Sequence, residues 1–364
     1  MTMIKTNSIK HLYVHVPFCN SICAYCDFCH RIYNSVLVDK WLVSLNKEIS
    51  DKCSNSYETI YIGGGTPTSL SNSQLEELLK SIEPYSKEVI EYTIEVNPES
   101  LDLEKIKLFN KYHINRISMG VQTSDDNLLK LINRKHTFTD VRNKINLLRE
   151  NHIENISIDL MYSLPNQTMD ILKKTLDDFI CLDVPHVSLY SLTIEENSLF
   201  GKKGYKSLDS DLEADMYEYI NSFLISNGYI QYEVSNYSKK GYESKHNLGY
   251  WKYEDFLGLS LSASSKVGNH RWTNTCNFED YFKDYNNKSE DLLLELEDLK
   301  FENIMMSLRT IYGLNIDKFN SKYNCDFLSE YKKGIDNPNI FIENGYIKCK
   351  NLEILNNVLL DFMK

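Results

Sequence analysis

Four cysteines lie within eleven residues of one another in the stretch HVPFCNSICAYCDFCH, directly after an apolar run. Cys19, Cys23 and Cys26 have the spacing C-x3-C-x2-C, and Cys29 follows three residues later. Structural zinc usually takes two close pairs of ligands a dozen or more residues apart, and no second close pair follows here. An iron–sulfur cube is the better match, because thiolates bind its irons and a single loop can supply three of them. Such a cube would keep one iron without a protein ligand, open to a cofactor or a substrate.

The remaining cysteines stand singly in the sequence, and we expect them to be buried or inert thiols. A set of disulfides is not expected, because the first residues lack the apolar segment of a secretory signal and a cell interior is reducing. No apolar run is long enough to cross a bilayer, so the sequence predicts a cytoplasmic protein without a transmembrane segment. The single cysteines are Cys53, Cys181, Cys276, Cys325 and Cys349.

Short β-rich runs alternate with amphipathic helical patterns between residue 12 and about residue 230, and these elements must position the cysteine loop. Apolar runs that are each followed by a helix indicate a parallel sheet covered by helices. Six such units fit an incomplete (β/α) barrel or an open doubly wound sheet, and periodicity alone does not choose between them. The predicted strands are 12–16, 59–62, 91–96, 116–121, 156–161 and 187–192, and the clearest helices are 71–82, 138–152 and 168–182.

The pattern changes twice after this alternating part. It becomes irregular and rich in Tyr, Asn and Trp around 233–275, and it is helical again from about residue 290. We therefore expect a core domain over 1–232, a connecting region over 233–289 and a small, mainly helical C-terminal domain over 290–364. The last twenty residues predict a hairpin and a helix. The net charge of −11 argues against a nucleic-acid partner, which would need clustered Lys and Arg.

The cysteine motif resembles that of the radical S-adenosylmethionine (SAM) superfamily, including an aromatic residue, Tyr25, just before the last cysteine. The resemblance implies a partial (β/α)6 barrel in which Cys19, Cys23 and Cys26 bind a [4Fe–4S] cluster. It also implies that the amino and carboxylate groups of SAM chelate the fourth iron. An electron from the cluster would then cleave SAM to methionine and a 5′-deoxyadenosyl radical.

Further residues match the SAM site of that superfamily. YIGGGTPTSL at 61–70 resembles its glycine motif, in which glycines let the backbone approach the ligand closely. Polar residues at the carboxyl ends of later strands lie where barrel active sites are built, and carboxylates and an arginine suit the charged groups of SAM. Taken singly, each could instead be a helix cap, a surface ion pair or a core tyrosine. The SAM-binding set that the resemblance implies is Tyr13, Tyr25, Gly64, Gly65, Thr66, Glu95, Gln122, Arg134 and Asp159.

Nearly the whole chain resembles the oxygen-independent coproporphyrinogen III oxidase family, through YVHVPFCNSICAYCDF, GGGTPT, IEVNPES, SMGVQT and SIDLMYSLPNQT. The decarboxylases of that family carry an N-terminal extension and a C-x-C after the second spacer, and we expect neither here. CDF and HNLGYW (246–251) instead resemble the HemW group of haem chaperones, in which H-N-x-x-Y-W takes part in haem binding. The resemblance implies that His246 binds haem, with Asn247, Tyr250 and Trp251 shaping the site. Without the family, a loop histidine that caps a backbone group would be preferred.

Two functions follow from this resemblance. The first is a haem chaperone that delivers haem to acceptor proteins, and the second is a radical enzyme that acts on a porphyrinogen or another tetrapyrrole. Either function requires an electron donor to the cluster. Both a monomer and a homodimer are compatible with the sequence. Radical modification of tRNA is disfavoured by the acidic balance and the lack of an RNA-binding module.

The sequence departs from the family at several positions. The usual glycine-rich run G-x-G-x-G-A-H reads GLSLSASS at 258–265, so Ser260, Ser262 and Ser264 replace Gly, Gly and His. If those glycines let the backbone approach a cofactor, we expect the serine side chains to narrow that cofactor's pocket. Ser163 likewise stands where glycine is usual. Cys29 lies one residue too late to match the extra cysteine of the decarboxylases, and a structural role is favoured.

Overall fold

The computed structural model describes residues 9–54 and 56–363. Its first part is an alternation of strands and helices that builds a parallel sheet. The elements are β1 (His11–Val16), β2 (Phe18–Cys19), β3 (Arg31–Ile32), α1 (Ser35–Lys52), β4 (Thr59–Gly64), α2 (Asn72–Ile82), β5 (Glu91–Val96), α3 (Leu103–Lys111), β6 (Arg116–Gln122), α4 (Asp126–Leu131), α5 (Phe138–Glu150), β7 (Ile156–Tyr162), α6 (Met169–Ile180) and β8 (His186–Ser191). Strands β1, β4, β5, β6, β7 and β8 are neighbours in that order, and every adjacent pair is parallel.

These elements confirm the predicted six βα units. Every predicted strand and helix of this part forms within two residues of its expected bounds. The helix starts follow local capping chemistry: Ser71, Thr137 and Thr168 accept hydrogen bonds from backbone N–H groups of the first turns of α2, α5 and α6. The fold is the partial (β/α)6 barrel that the family resemblance implies, and not the open doubly wound sheet that periodicity alone also allowed.

Side chains alternate along each barrel strand, with apolar groups outward and polar groups inward. In β1, Leu12 and Val14 belong to the main hydrophobic core, whereas Tyr13 and His15 line the interior. The other parallel strands repeat this two-residue period. The interior of the barrel is therefore polar and can bind ligands, while its outer face packs on the helices.

The next part of the chain extends the same sheet at both edges. The elements are α7 (Leu199–Lys202), α8 (Ser210–Ser226), β9 (Ile230–Gln231), β10 (Asn236–Ser238), α9 (Lys245–Trp251), β11 (Phe256–Leu259), β12 (Ser264–Val267), β13 (His270–Asn274), α10 (Phe278–Lys283) and β14 (Lys288–Leu293). β10 pairs antiparallel with β8 at one edge, and β11 pairs parallel with β1 at the other. β12, β13 and β14 then add antiparallel strands beyond β11.

The C-terminal part is mainly helical and has its own hydrophobic core, built from side chains between Ile304 and Phe362. The predicted hairpin is confirmed, although its first strand begins at Ile340 and its turn holds Asn344 and Gly345 at positive φ. The division of the chain at residues 232 and 289 stays a prediction. The elements are α11 (Leu296–Leu308), β15 (Leu314–Asn315), α12 (Ile316–Tyr323), α13 (Phe327–Glu330), α14 (Lys332–Ile335), β16 (Ile340–Glu343), β17 (Tyr346–Cys349) and α15 (Leu355–Leu359).

Among the helices of residues 9–54 and 56–363, none is both long and apolar enough to span a bilayer.

Candidate functional site

A cavity of about 1040 Å³ occupies the interior of the barrel. It runs from the cysteine loop at the carboxyl ends of the strands to helix α9. Every residue that the sequence predicted for the cluster, SAM and haem sites lines this one cavity. These residues are Tyr13, Cys19, Cys23, Tyr25, Cys26, Gly64, Gly65, Thr66, Glu95, Gln122, Arg134, Asp159, His246, Asn247, Tyr250 and Trp251.

The cysteine loop brings three thiols to one end of the cavity. Cys19, Cys23 and Cys26 form no disulfide within the described residues. Burial raises the pKa of Cys19 to about 12 and also raises the pKa of Cys26, so both are thiols in the absence of a metal. A metal would favour the thiolates. Three thiols on one loop therefore fit an iron–sulfur cluster, which takes one thiolate at each of several irons.

Two glycines of the GGGTPT motif make the close approach that the sequence suggested. A Cβ on Gly65 would lie 2.6 Å from the carbonyl oxygen of Phe18 and 2.9 Å from Sγ of Cys19. Gly64 has φ 111°, and a Cβ there would overlap the ring of His15. Only glycine therefore lets β4 run directly beside the cysteine loop.

Two carboxylic acids face the middle of the cavity. Glu95 accepts a hydrogen bond from the Tyr61 hydroxyl at 2.8 Å and another from the Gly64 N–H at 3.1 Å. Burial raises the pKa of Glu95 to about 7 and that of Asp159 to about 6, in spite of these hydrogen bonds and the nearby Arg116. Bringing a cation between the two would favour their ionised forms.

Arg134 supplies positive charge between the carboxylates and the cysteines. Its guanidinium donates to Asn97 Oδ1 at 2.6 Å and to the Tyr25 hydroxyl at 3.1 Å. Its buried Nε has no hydrogen-bond partner among the described residues. A free buried donor of this kind fits the carboxylate of a bound ligand, which is what the prediction for Arg134 requires.

Gln122 is positioned by an irregularity at the end of β6. The pairing of β6 with β7 shifts by one residue between Gly120 and Gln122, and Gln122 has φ 73°. Such a bulge turns a side chain out of the regular alternation. It therefore brings the Gln122 side chain, which is only 4% exposed, to the cavity wall.

Helix α9 carries the HNLGYW motif and closes the amino end of the cavity. Ser244 accepts a hydrogen bond from the Asn247 N–H, and the buried carboxylate of Glu91 accepts from the N–H groups of Lys245 and His246 at 2.8 and 2.9 Å. A carboxylate at these free N–H groups stabilises the start of a helix. Glu91 thus fixes α9 to the start of β5.

Both ring nitrogens of His246 are hydrogen-bonded. Nδ1 lies 2.7 Å from Thr59 Oγ1, and Nε2 lies 2.7 Å from the hydroxyl of Tyr250. The residue is 1% exposed, and burial holds the pKa of His246 well below its usual value. The alternative of a loop histidine that caps a backbone group is wrong, because His246 is helical and its partners are side chains.

The wall beside α9 is partly apolar. The Tyr250 ring packs edge-on against Phe256, with centroids 4.6 Å apart. Met306 and Arg309, from α11 and its C-terminal end, line the same cavity. The buried Nε1 of Trp251 has no hydrogen-bond partner in the described part of the chain. The wall thus combines aromatic surface, a cation and a free donor, a combination that suits a flat, anionic ligand.

One cysteine prediction is wrong. Cys276 was expected to be a single inert thiol, but it forms a disulfide with Cys29, with the two Cα atoms 5.9 Å apart. β13 ends at Asn274, and the following loop returns beside the cysteine loop. The structural role expected for Cys29 agrees with this pairing. A separation of 247 residues leaves no local signal for it.

The serine replacements affect the cavity less than predicted. Ser262 and Ser264 line it, but Ser260 does not, so the expectation that Ser260 narrows the pocket is wrong, and Ser163 also lies outside the lining. Ser163, Ser260 and Ser262 all have positive φ, between 58° and 79°, a conformation that favours glycine. Ser260 instead faces α1, where its hydroxyl accepts a hydrogen bond from the Trp41 indole N–H at 2.8 Å.

Several residues of the site were not predicted from the sequence. Glu91 anchors α9, His11 and Thr59 lie behind His246, and Arg309 reaches the cavity from the C-terminal part. His11 and Thr59 are direct partners in the parallel register of β1 and β4. The polar residues that point inward from β1 and β4 were visible in the sequence as a sign of a site. Their hydrogen-bond partners were not, because these depend on where α9 packs.

Comparison with known proteins agrees with this geometry. Residues 13–179 match the model of the radical SAM superfamily. The chain is 40% identical to the heme chaperone HemW of Lactococcus lactis over 332 residues, which cover 89% of this chain and 87% of that protein. It is 37% identical to HemW of Bacillus subtilis over 331 residues, 86% of this chain and 87% of the relative.

A solved structure shares the fold. Coproporphyrinogen III oxidase (HemN) from Escherichia coli, described as a radical SAM enzyme, superposes with a TM-score of 0.86. The match covers 97% of this chain and 90% of that one, at 21% sequence identity. At this identity the likeness extends to the fold alone.

Proposed function

The chain belongs to the HemW family of radical SAM proteins, and on that basis we propose that it is a haem chaperone that binds haem and delivers it to acceptor proteins. The observation that carries the proposal is the 40% identity to the Lactococcus lactis heme chaperone over nearly the full length of both chains. The intact HNLGYW motif at the wall of the cavity adds to it.

The radical SAM family implies a [4Fe–4S] cluster and SAM. We propose that Cys19, Cys23 and Cys26 hold the cluster, since these three thiols share one end of the cavity. When bound, such a cluster supplies one electron to SAM. The residues proposed to hold SAM, by hydrogen bonds, charge or close backbone approach, are Tyr13, Tyr25, Gly64, Gly65, Thr66, Glu95, Gln122, Arg134 and Asp159.

We propose that haem lies against α9, on the side of the cavity formed by His246, Asn247, Tyr250 and Trp251. The aromatic contact between Tyr250 and Phe256 offers an apolar surface for the porphyrin. Arg309 would pair with a propionate, and the free Trp251 N–H would donate to another acceptor on the ligand.

The binding part of this proposal is tested by titrating haem into anaerobically reconstituted protein and following the Soret band. We expect saturation near one equivalent. The variant Trp251→Phe removes the free N–H and keeps most of the aromatic surface, and should weaken binding. Trp272→Phe, on the outer strand β13 and away from the cavity wall, is the matched control. Absence of saturable binding by the wild-type protein would refute the proposal.

A radical enzyme acting on a tetrapyrrole is the second candidate. The observation that favours it is that every predicted SAM-contact residue lines the same cavity as the cysteines. SAM cleavage that depends on an added porphyrinogen, measured as 5′-deoxyadenosine, would support this candidate.

We propose that the chain works in the cytoplasm with a separate electron donor to the cluster. Whether it forms a homodimer is testable by light scattering.

A further inference from the structure

Four consecutive hydrogen bonds connect the partly exposed Glu254 to Tyr250 at the cavity wall. Glu254 Oε2 lies 2.7 Å from His11 Nε2, and His11 Nδ1 lies 2.8 Å from Thr59 Oγ1. Thr59 Oγ1 lies 2.7 Å from His246 Nδ1, and His246 Nε2 lies 2.7 Å from the Tyr250 hydroxyl. The Glu254 side chain is 37% exposed, whereas that of His11 is 4% exposed. The chain therefore runs through the protein from its surface to the cavity.

The donors and acceptors of this chain give it a direction. The hydrogen bond from His11 lowers the pKa of Glu254, so the carboxylate is ionised and only accepts, and His11 Nε2 must donate. In the arrangement in which His11 Nδ1 is the acceptor, it takes the single Thr59 hydroxyl proton. Thr59 Oγ1 can then only accept the proton of His246 Nδ1. Burial keeps His246 neutral, so its Nε2 accepts from the Tyr250 hydroxyl.

Resting on the proposed function, we propose that the phenolic oxygen of Tyr250 is the protein ligand to the iron of ferric haem, and that His246 is a positioning residue. His246 is 1% exposed and both of its nitrogens have partners, so it has no free lone pair to offer. Tyr250 lines the cavity and needs to give up only its proton. Tyrosine is an established axial ligand of haem iron.

The hydrogen-bonded chain accounts for that proton. As the iron–oxygen bond forms, the O–H bond of Tyr250 breaks and the proton passes to His246 Nε2. The Nδ1 proton of His246 moves to Thr59, and the Thr59 proton moves to His11 Nδ1. Both ring nitrogens of His11 then donate, Nε2 to the carboxylate of Glu254 and Nδ1 to Thr59, and His246 Nε2 donates to the phenolate. The phenolate supplies the electron pair of the new bond, and the iron remains ferric.

Gly249 within the motif keeps this chain intact. A Cβ at Gly249 would overlap the imidazole of His11. Because Gly249 has no Cβ, helix α9 approaches β1 closely enough for His246 and His11 both to hydrogen-bond to the hydroxyl of Thr59. A larger residue would separate the two histidines.

The test is resonance Raman and electron paramagnetic resonance spectroscopy of the anaerobic ferric haem complex of the full chain. We expect the vibrations of an iron-bound phenolate and a high-spin signal in the wild-type complex. Tyr250→Phe should lose the phenolate bands, and His246→Gln should keep them while lowering haem affinity about tenfold. Tyr190→Phe is the matched control. It removes another phenol from the same cavity, one that is not hydrogen-bonded to a histidine among the described residues, and its spectra should match those of the wild type.

The outcomes separate this inference from the proposed function. A wild-type protein that binds no haem would refute both. Saturable binding whose spectra are unchanged in Tyr250→Phe but lost in His246→Gln would overturn the tyrosine assignment and keep the chaperone proposal. Far-ultraviolet circular dichroism of each variant would show that the fold is retained.

Discussion

Gly65 lies so close to Cys19 that a Cβ on its backbone would come within 2.9 Å of the cysteine sulfur. The glycine motif and the cysteine loop are therefore a single structural unit, although 46 residues separate them in the sequence. We predict that Gly65→Ala displaces the cysteine loop and lowers the amount of iron retained after reconstitution, without unfolding the barrel. Iron analysis together with circular dichroism checks this. Full iron content in a folded Gly65→Ala protein would contradict the close fit.

Replacing any one of Cys19, Cys23 and Cys26 with Ser should abolish stable cluster binding, because an iron would lose its thiolate. The measurement is iron and sulfide content after anaerobic reconstitution, with about four of each expected in the wild type. Cys181→Ser, at an exposed thiol, is the control. Cys29→Ser should also keep its cluster, since Cys29 pairs with Cys276. Loss of the cluster in Cys29→Ser would contradict the three-cysteine assignment.

SAM affinity should rise with pH between about pH 6 and 8 because of Glu95. Burial raises its pKa to about 7, with Tyr61, Asp159 and Arg116 facing it, so below pH 7 the side chain is mostly protonated. A cationic ligand then has to displace that proton, which costs at most about tenfold in affinity per pH unit. Calorimetric titration of SAM across this range measures the slope.

Glu95→Gln should bind SAM more weakly at pH 8 and with a flatter pH dependence. Glu195→Gln, an exposed carboxylate at the same cavity, should retain the wild-type slope. An unchanged slope in Glu95→Gln would exclude Glu95 as the titrating group.

Ser260 should stabilise the fold through the hydrogen bond of its hydroxyl and destabilise it through its backbone conformation. Its φ of 79° favours glycine, whereas its side chain accepts the hydrogen bond of the buried Trp41 N–H. Ser260→Ala keeps the strain and orphans that donor, so we expect the free energy of unfolding to fall by about 1–3 kcal/mol. Ser260→Gly should recover part of this loss, because glycine relieves the strain. Urea unfolding of the three proteins checks the order, and an Ala variant as stable as the wild type would contradict it.

The six βα units could be predicted from the sequence because their signals are local, whereas the barrel and the cofactor residues followed from the family resemblance. Outward apolar residues such as Leu12 and Val14 mark the strands. Cysteines and glycines that directly follow a strand must lie at its carboxyl end. The cluster and SAM residues that the resemblance implies all line one cavity.

The rest depends on contacts between distant segments. The pairing of Cys29 with Cys276 and the hydrogen bonds from His11 through Thr59 to His246 need β11 to pair with β1 and α9 to pack on β4. No periodicity in the sequence specifies those pairings. The sequence showed that Ser163, Ser260 and Ser262 replace glycines of the family, but the fold decides which of them faces the cavity.

In the proposed function this chain carries haem and releases it intact. The most direct measurement is anaerobic mixing of the haem-loaded protein, containing cluster and SAM, with an apo-haem protein, followed by the absorption of the newly formed holo-acceptor. We predict stoichiometric transfer of unmodified haem at a rate that saturates with acceptor concentration. Haem that remains bound while SAM is consumed on a porphyrinogen would refute the chaperone function and identify the chain as an enzyme.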